Sequence, residues 1–214
     1  SRFVQKGLKI GGLDAYTTSN VLKGSGLSSS AAFEVLVGNL LSGLYNDGAV
    51  SPVEIAKYAQ YAENVYFGKP SGLMDQMASS VGNLITIDFA DPEAPVIEPV
   101  DFDFAALGCA LCIVDTGGNH ADLTNEYAAI PAEMKAVAAL FGEEVLRPVS
   151  YEALLSKAGE IREKLGDRAL LRAIHFVQEN HRVEEIVAAL RKGDYDRFLT
   201  LLTQSGRSSF CYLQ

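Results

Sequence analysis

The chain is short of basic side chains, of histidine and of cysteine, and each shortage removes a class of function. Lys and Arg number 18 against 27 Asp and Glu, a formal charge of −9, and acidic side chains predominate in both halves. No basic face is on offer to nucleic acid or to an anionic membrane, although an anion can still be held locally by backbone N–H groups. The 3 histidines, His120, His175 and His181, are dispersed without metal-ligand spacing, which argues against zinc. The 3 cysteines include Cys109-Ala-Leu-Cys112, inside the apolar run Leu107 to Val114. Read as a strand, that run sends the two thiols to opposite faces, so buried free thiols in a reducing compartment are expected. No signal-like or membrane-length apolar run is seen, and the expected location is cytoplasmic. The chain opens on Ser1 rather than Met and closes on Phe210 to Gln214 without a polar tail. Both ends read as cuts through a longer protein. What remains is ordinary for a globular chain, 48% hydrophobic and 21% charged over 214 residues, enough for one sizeable core or two small ones.

The most informative stretch is Gly24-Ser-Gly-Leu-Ser-Ser-Ser-Ala-Ala32. Glycines let backbone N–H groups approach a ligand, and a helix behind them adds unsatisfied N–H groups and a positive dipole end. That combination holds phosphate. A P-loop needs Lys directly before its Ser or Thr, and Leu27 stands there, with Lys23 ahead of the loop. The dinucleotide pattern G-x-G-x-x-G fails at Ser29. Two readings stay open: a phosphate cradle, or a tight turn with a serine N-cap. Ser28, Ser29 and Ser30 cannot all be one cap, so one can cap while another offers a hydroxyl to phosphate or Mg²⁺.

Along the chain, two short β-prone pieces at Arg2–Lys6 and Asp14–Leu22 precede the loop, bent at Gly11-Gly12. A helix from about Ser28 to Leu44 places Phe33, Leu36, Val37, Leu40, Leu41 and Leu44 on its apolar face. Ser51-Pro-Val-Glu54 is a helix start with cap, N1 proline and N3 glutamate, and Ile55, Tyr58, Ala59, Ala62 and Val65 should point inward. Helix restarts near Met74, a strand runs Leu84–Phe89, and prolines at 92, 95 and 99 make an exposed connection or edge. A second strand is expected at Leu107–Val114. Thereafter helices are expected at 121–141, 150–165 (cap Ser150), 167–191 (cap Asp167) and 194–205 (cap Asp194). The domain boundary is placed between residues 106 and 107, giving an α+β part at 1–106 and a mostly helical part at 107–214.

Asp75 sits in the first turn of a helix after a glycine turn. It is either a dipole-favoured helix-start residue or a general base that positions an attacking hydroxyl. His120 follows a strand-like run and either touches ligand or sits at a surface or cap; Tyr127 either lines a sugar or packs a helix.

Together these motifs resemble the galactokinase branch of the GHMP small-molecule kinases. The segment Gly24–Ala32 is similar to that family's ATP-phosphate loop, and Gly72-Leu-Met-Asp-Gln76 to its catalytic-aspartate motif. Arg172–Asn180 and Ala188–Tyr195 resemble its helical part. The resemblance implies an α+β fold: a ribosomal protein S5 domain 2-like first domain with a left-handed β-α-β unit, and an incomplete ferredoxin-like second domain. It implies transfer of the γ-phosphoryl of MgATP to the anomeric hydroxyl of galactose, with another sugar such as N-acetylgalactosamine, or a non-catalytic ATP- and sugar-binding regulator, as alternatives. By position, Gly24, Ser25, Gly26, Leu27, Ser28, Ser29 and Ser30 would hold the ATP phosphates, with Ser29 or Ser30 on Mg²⁺. Asp75 would be the catalytic base, and Gly72 and Tyr127 sugar contacts, with no obligate protein partner. The family's N-terminal sugar motif and C-terminal glycine-rich motif have no counterpart here, so this stretch by itself is expected to be inactive. The chain departs from the family's usual residues in three places: Asn119 before His120 and Ala128-Ala129-Ile130 after Tyr127 stand where the family often has arginine, and Gly206 stands where it usually has His.

Overall fold

Most elements form where short-range signals called for them. The computed structural model describes residues 1–21, 26–68, 71–114 and 124–213. The chain divides into two compact units: Ser1–Phe89 with Glu93–Pro99 and Asp103–Gly118, and Asn119–Gln214 with Ala90–Pro92 and Val100–Phe102. It is α+β, with a small sheet in the first unit and a second unit whose described elements are helical.

In the first unit, α1 (Arg2–Gln5), α2 (Ser29–Tyr45), α3 (Pro52–Tyr66) and α4 (Met74–Val81) precede the strands β1 (Ile85–Asp88) and β2 (Val96–Pro99). The capping box forms as expected: Ser51 Oγ accepts from Glu54 N at 3.3 Å, and the Glu54 carboxylate accepts from Ser51 N. Helix α2 ends where Asp47 and Gly48 turn left-handed, at φ 53° and 70°. The strands pair antiparallel, Ile87 opposite Ile97, and so the proline-rich stretch supplies an edge strand.

Three expectations are corrected here. Arg2–Lys6 is helical rather than extended, because Phe3 packs edge-on against Tyr58 with ring centroids 5.3 Å apart and buries itself in the α2–α3 core. Residues 14–21 form no strand and are exposed. A strand exists only beside a partner that takes its backbone hydrogen bonds, and among the described residues these have none; Leu22 lies outside them. The segment ahead is held by side chains instead: Asn46 exchanges two 2.9 Å hydrogen bonds with Lys9 N and O. Leu107–Val114 also fails to form a strand. A 3₁₀ turn (Ala105–Leu107) leads into an irregular run in which Leu111 is 84% exposed and Cys109 and Cys112 are exposed rather than buried. The only pairing among the described residues is β1 with β2, so they contain neither a β-α-β crossover nor a ferredoxin-like sheet.

The buried face of α2 also differs. The side in the core is Ala31, Val35, Gly38 and Ser42, spaced i, i+4, i+7, i+11, whereas Phe33 and Leu44 are exposed. Small residues won because α3 comes close: a Cβ on Gly38 would meet Ile55 Cγ2 at 2.7 Å. The larger side chains Phe33, Val37 and Leu41 instead line a pocket of 550 Å³ between α1, α2 and α3. On α3, Ile55, Tyr58 and Ala59 are buried as expected, but Val65 is exposed and Glu63 is buried in its stead.

The second unit contains α5 (Thr124–Ala139), α6 (Tyr151–Ser156), α7 (Ala158–Leu165), α8 (Asp167–Lys192), α9 (Tyr195–Ser208) and a π-type turn (Ser209–Leu213). Its core gathers Val137, Leu154, Ile161 and Ala173. Ser150 and Asp194 cap as expected, accepting from Ala153 N and Arg197 N at 3.1 Å. The helix expected at 150–165 breaks at Lys157, and Asp167 does not cap α8: Gly166 precedes it at φ 88°, and the Asp167 carboxylate takes Arg162 Nε instead. A polar seam joins α8 to the chain's last elements. Fully buried Arg172 donates to Leu213 O at 2.9 Å and to Glu133 Oε2 at 3.0 Å, His175 Nδ1 lies 3.0 Å from Ser208 Oγ, and Ser205 Oγ donates to Glu179 at 2.6 Å.

Candidate active site

Two helix N-termini carry the site, both in the first unit. Ahead of α2, Gly26 has φ 74° and Ser28 φ 54°, left-handed conformations that glycine adopts freely and serine seldom does. Ser28 occupies the N-cap position yet makes no side-chain cap. Its hydroxyl donates to Asp75 Oδ2 at 2.6 Å, across 47 residues of sequence. The capping reading of this serine is therefore replaced by a contact between the two motifs. Helix α2 begins with Ser29 and Ser30, and Ser30 Oγ donates to Glu63 Oε1 at 3.2 Å.

Asp75 lies in the first turn of α4, where the helix dipole favours a carboxylate. The segment leading into α4 and the far end of that helix are both pinned to α3. Asn64 Oδ1 accepts from Ser71 N at 2.9 Å, Gln60 Nε2 donates to Ser71 O at 3.1 Å, and Ser80 Oγ donates to Pro52 O at 2.7 Å. Next to Asp75, Gln76 is buried and donates from Nε2 to Glu63 Oε2 at 2.7 Å and Glu34 Oε2 at 3.4 Å. The assembled group is thus Ser28 with Asp75, and Ser30, Glu34 and Gln76 around Glu63. It offers hydroxyls and carboxylates, the oxygen donors a hard divalent cation prefers, beside a left-handed loop and the N-terminus of a long helix.

Glu34, Glu63 and Gln76 had not been singled out as site residues. A signal for Glu63 was present: it stands at i+4 from Ala59 and i+8 from Ile55, an acid on the stripe that faces the core. Gln76 closes the aspartate motif Gly72–Gln76, and Glu34 carries no comparable mark. Of the other site residues expected from sequence, Leu27 is 41% exposed, and the space beside Gly72 is open, with no atom within 4 Å of an added Cβ. Tyr127 stands half-exposed on α5 in the second unit. Gly24, Ser25 and His120 lie outside the described residues.

Residues 2–83 match the family description "GHMP kinases N terminal domain". The galactokinase of Streptomyces coelicolor is 38% identical over 195 residues, covering 89% of this chain and 48% of that protein. The chain belongs to the galactokinase family of the GHMP kinases. The family's enzyme from Mycobacterium tuberculosis is 37% identical over 196 residues, 89% of this chain and 51% of that one. A crystal structure of Lactococcus lactis galactokinase complexed with galactose superposes with a TM-score of 0.68 at 24% identity, over 90% of this chain and 49% of that chain, and so shares its fold. The chain spans about half the length of the curated relatives it matches. Among the described residues no helix is long and apolar enough to cross a membrane.

Proposed function

We propose that this chain carries the phosphoryl-transfer groups of a sugar kinase that moves the γ-phosphoryl of ATP to the anomeric hydroxyl of galactose. The observation that carries the reading is the Ser28–Asp75 hydrogen bond, which joins the glycine–serine loop to the aspartate motif. Phosphoryl transfer asks a protein mainly to align the reactants and to stabilise charge. Here the backbone of residues 24–30 and the N-terminus of α2 would hold the phosphates. Asp75 would accept the proton of the sugar hydroxyl, a group more acidic than an ordinary alcohol. Ser28, now donating to Asp75, keeps that carboxylate oriented toward the loop.

Of the two serines considered for Mg²⁺, Ser30 is the better supported, because its hydroxyl already meets the buried Glu63 carboxylate. One hydroxyl and one carboxylate fit Mg²⁺, which retains waters and takes its other ligands from phosphates. Mg²⁺ held there would neutralise charge on the transferred phosphoryl group. Gly72 and Tyr127 are proposed sugar contacts. The S5 domain 2-like and ferredoxin-like descriptions, with the division at 106/107, are likewise proposed for the whole protein.

The test is ADP release by the intact protein with MgATP across galactose, N-acetylgalactosamine and glucose. Turnover should be greatest with galactose, and Asp75→Asn should lower kcat by roughly 10²–10⁴-fold. ATP binding without turnover on any sugar would favour a regulator, and an unchanged kcat would remove Asp75 from the chemistry.

A further inference from the structure

Gln76 is built into this site in a way that folding alone does not explain. Its side chain is 1% exposed, yet only its nitrogen is used: Nε2 donates to Glu63 and to Glu34, while Oε1 is buried with no hydrogen-bond partner among the described residues. A buried carbonyl left unpaired costs stability, and native proteins rarely keep one without a reason. Methionine or leucine would fill the same space without that cost. Flipping the amide is no remedy, since it would turn Oε1 onto two carboxylates and lose both donors. The acids therefore dictate the orientation of the amide, and the amide in turn dictates theirs. It occupies Glu63 Oε2, so that Oε1, the oxygen reached by Ser30, is held on the loop side.

Resting on the Mg²⁺ reading above, we propose that Gln76 is a positioning residue for a divalent cation at Ser30 and Glu63: it fixes the rotation of the Glu63 carboxylate and keeps Glu34 beside it without adding charge. Outer partners of this kind typically contribute 10–100-fold to metal affinity.

Mn²⁺ with ADP is the probe, followed on the intact protein by water-proton relaxation, with ADP binding in EDTA as the metal-free control. Gln76→Met should weaken Mn²⁺–ADP binding about 10–100-fold and leave metal-free ADP binding unchanged. Glu63→Gln should weaken the Mn²⁺ complex at least as much. If Glu63→Gln weakens it and Gln76→Met does not, the positioning role is overturned while the metal site stands. If Glu63→Gln has no effect, the metal site itself falls, and the inference with it. Equal losses with and without metal in Gln76→Met would mean a merely structural role and would also overturn it. Should Gln76→Met not fold, the intact wild-type protein decides by NMR. The Gln76 side-chain amide resonances should shift with Mg²⁺–ADP beyond their shift with ADP alone, and their failure to do so refutes the inference.

Discussion

Gly38 offers the sharpest quantitative test of how α2, and with it Ser30, is seated. A methyl group at Gly38 would lie 2.7 Å from Ile55 Cγ2. Carbon pairs sit comfortably at about 3.5–4.0 Å, so Gly38→Ala is short by roughly 1 Å. Ile55 cannot swing aside: it is 2% exposed, and Cγ2 hangs on a β-branched carbon with a stiff χ1 in a helix. Relief must come from moving α2 away from α3, an overpacking cost of about 1–3 kcal/mol, against a helix-propensity gain of about 1 kcal/mol. The net expectation is destabilisation by about 1 kcal/mol. Gly43, on the same helix, has nothing within 4 Å of an added Cβ. Gly43→Ala should therefore stabilise, by about 0.4–1 kcal/mol. Urea unfolding followed by circular dichroism reads both. Ile55→Ala removes the clashing methyl, so adding Gly38→Ala in that background should cost nothing further. If the two changes add independently, the close approach is not what demands glycine. Because α2 carries Ser30, Gly38→Ala should also lengthen the 3.2 Å contact with Glu63 and weaken metal-dependent nucleotide binding.

Two further outcomes concern the second unit. Glu133→Gln should destabilise by about 3 kcal/mol in the same unfolding assay, because it removes a carboxylate to which the fully buried Arg172 guanidinium donates. An effect below about 1 kcal/mol, the size of an exposed pair, would contradict that account. Burial lowers the His175 pKa, with Glu179 working against the shift and Arg182 with it, and Ser208 facing the ring. The folded protein thus binds the proton less readily than the unfolded chain. Stability present above pH ~6.5 is then lost as pH falls from there through the lowered folded pKa. His175→Gln should flatten that limb of the pH–stability curve; an unchanged limb would mean that His175 does not cause it. Burial alone would raise the Glu179 pKa, but the Ser205 and Arg182 hydrogen bonds outweigh it and hold it low, so its contribution is lost only in a separate, more acidic window.

What the sequence determined by itself was whatever is decided within a turn or two of backbone. The Ser51–Glu54 capping box, the left-handed stop at Asp47 and Gly48 and the Asp194 cap each involve groups a few residues apart, which meet whenever the helix forms. The glycine–serine loop and the aspartate motif were legible in the same way, as two short strings in order. Tertiary structure alone decided how they are used. Ser28 gives its hydroxyl to Asp75 across 47 residues rather than to its own helix, and Ser30 meets Glu63 across 33. No local pattern records such a contact, because it depends on α3 holding α4 beside the start of α2. The buried side of α2 was settled by the space α3 leaves, which favoured Ala31 and Gly38 over the larger Phe33 and Leu44. β-Propensity at 14–21 and 108–114 was real in composition but formed no strand, because a strand is completed by its neighbour and not by its own residues.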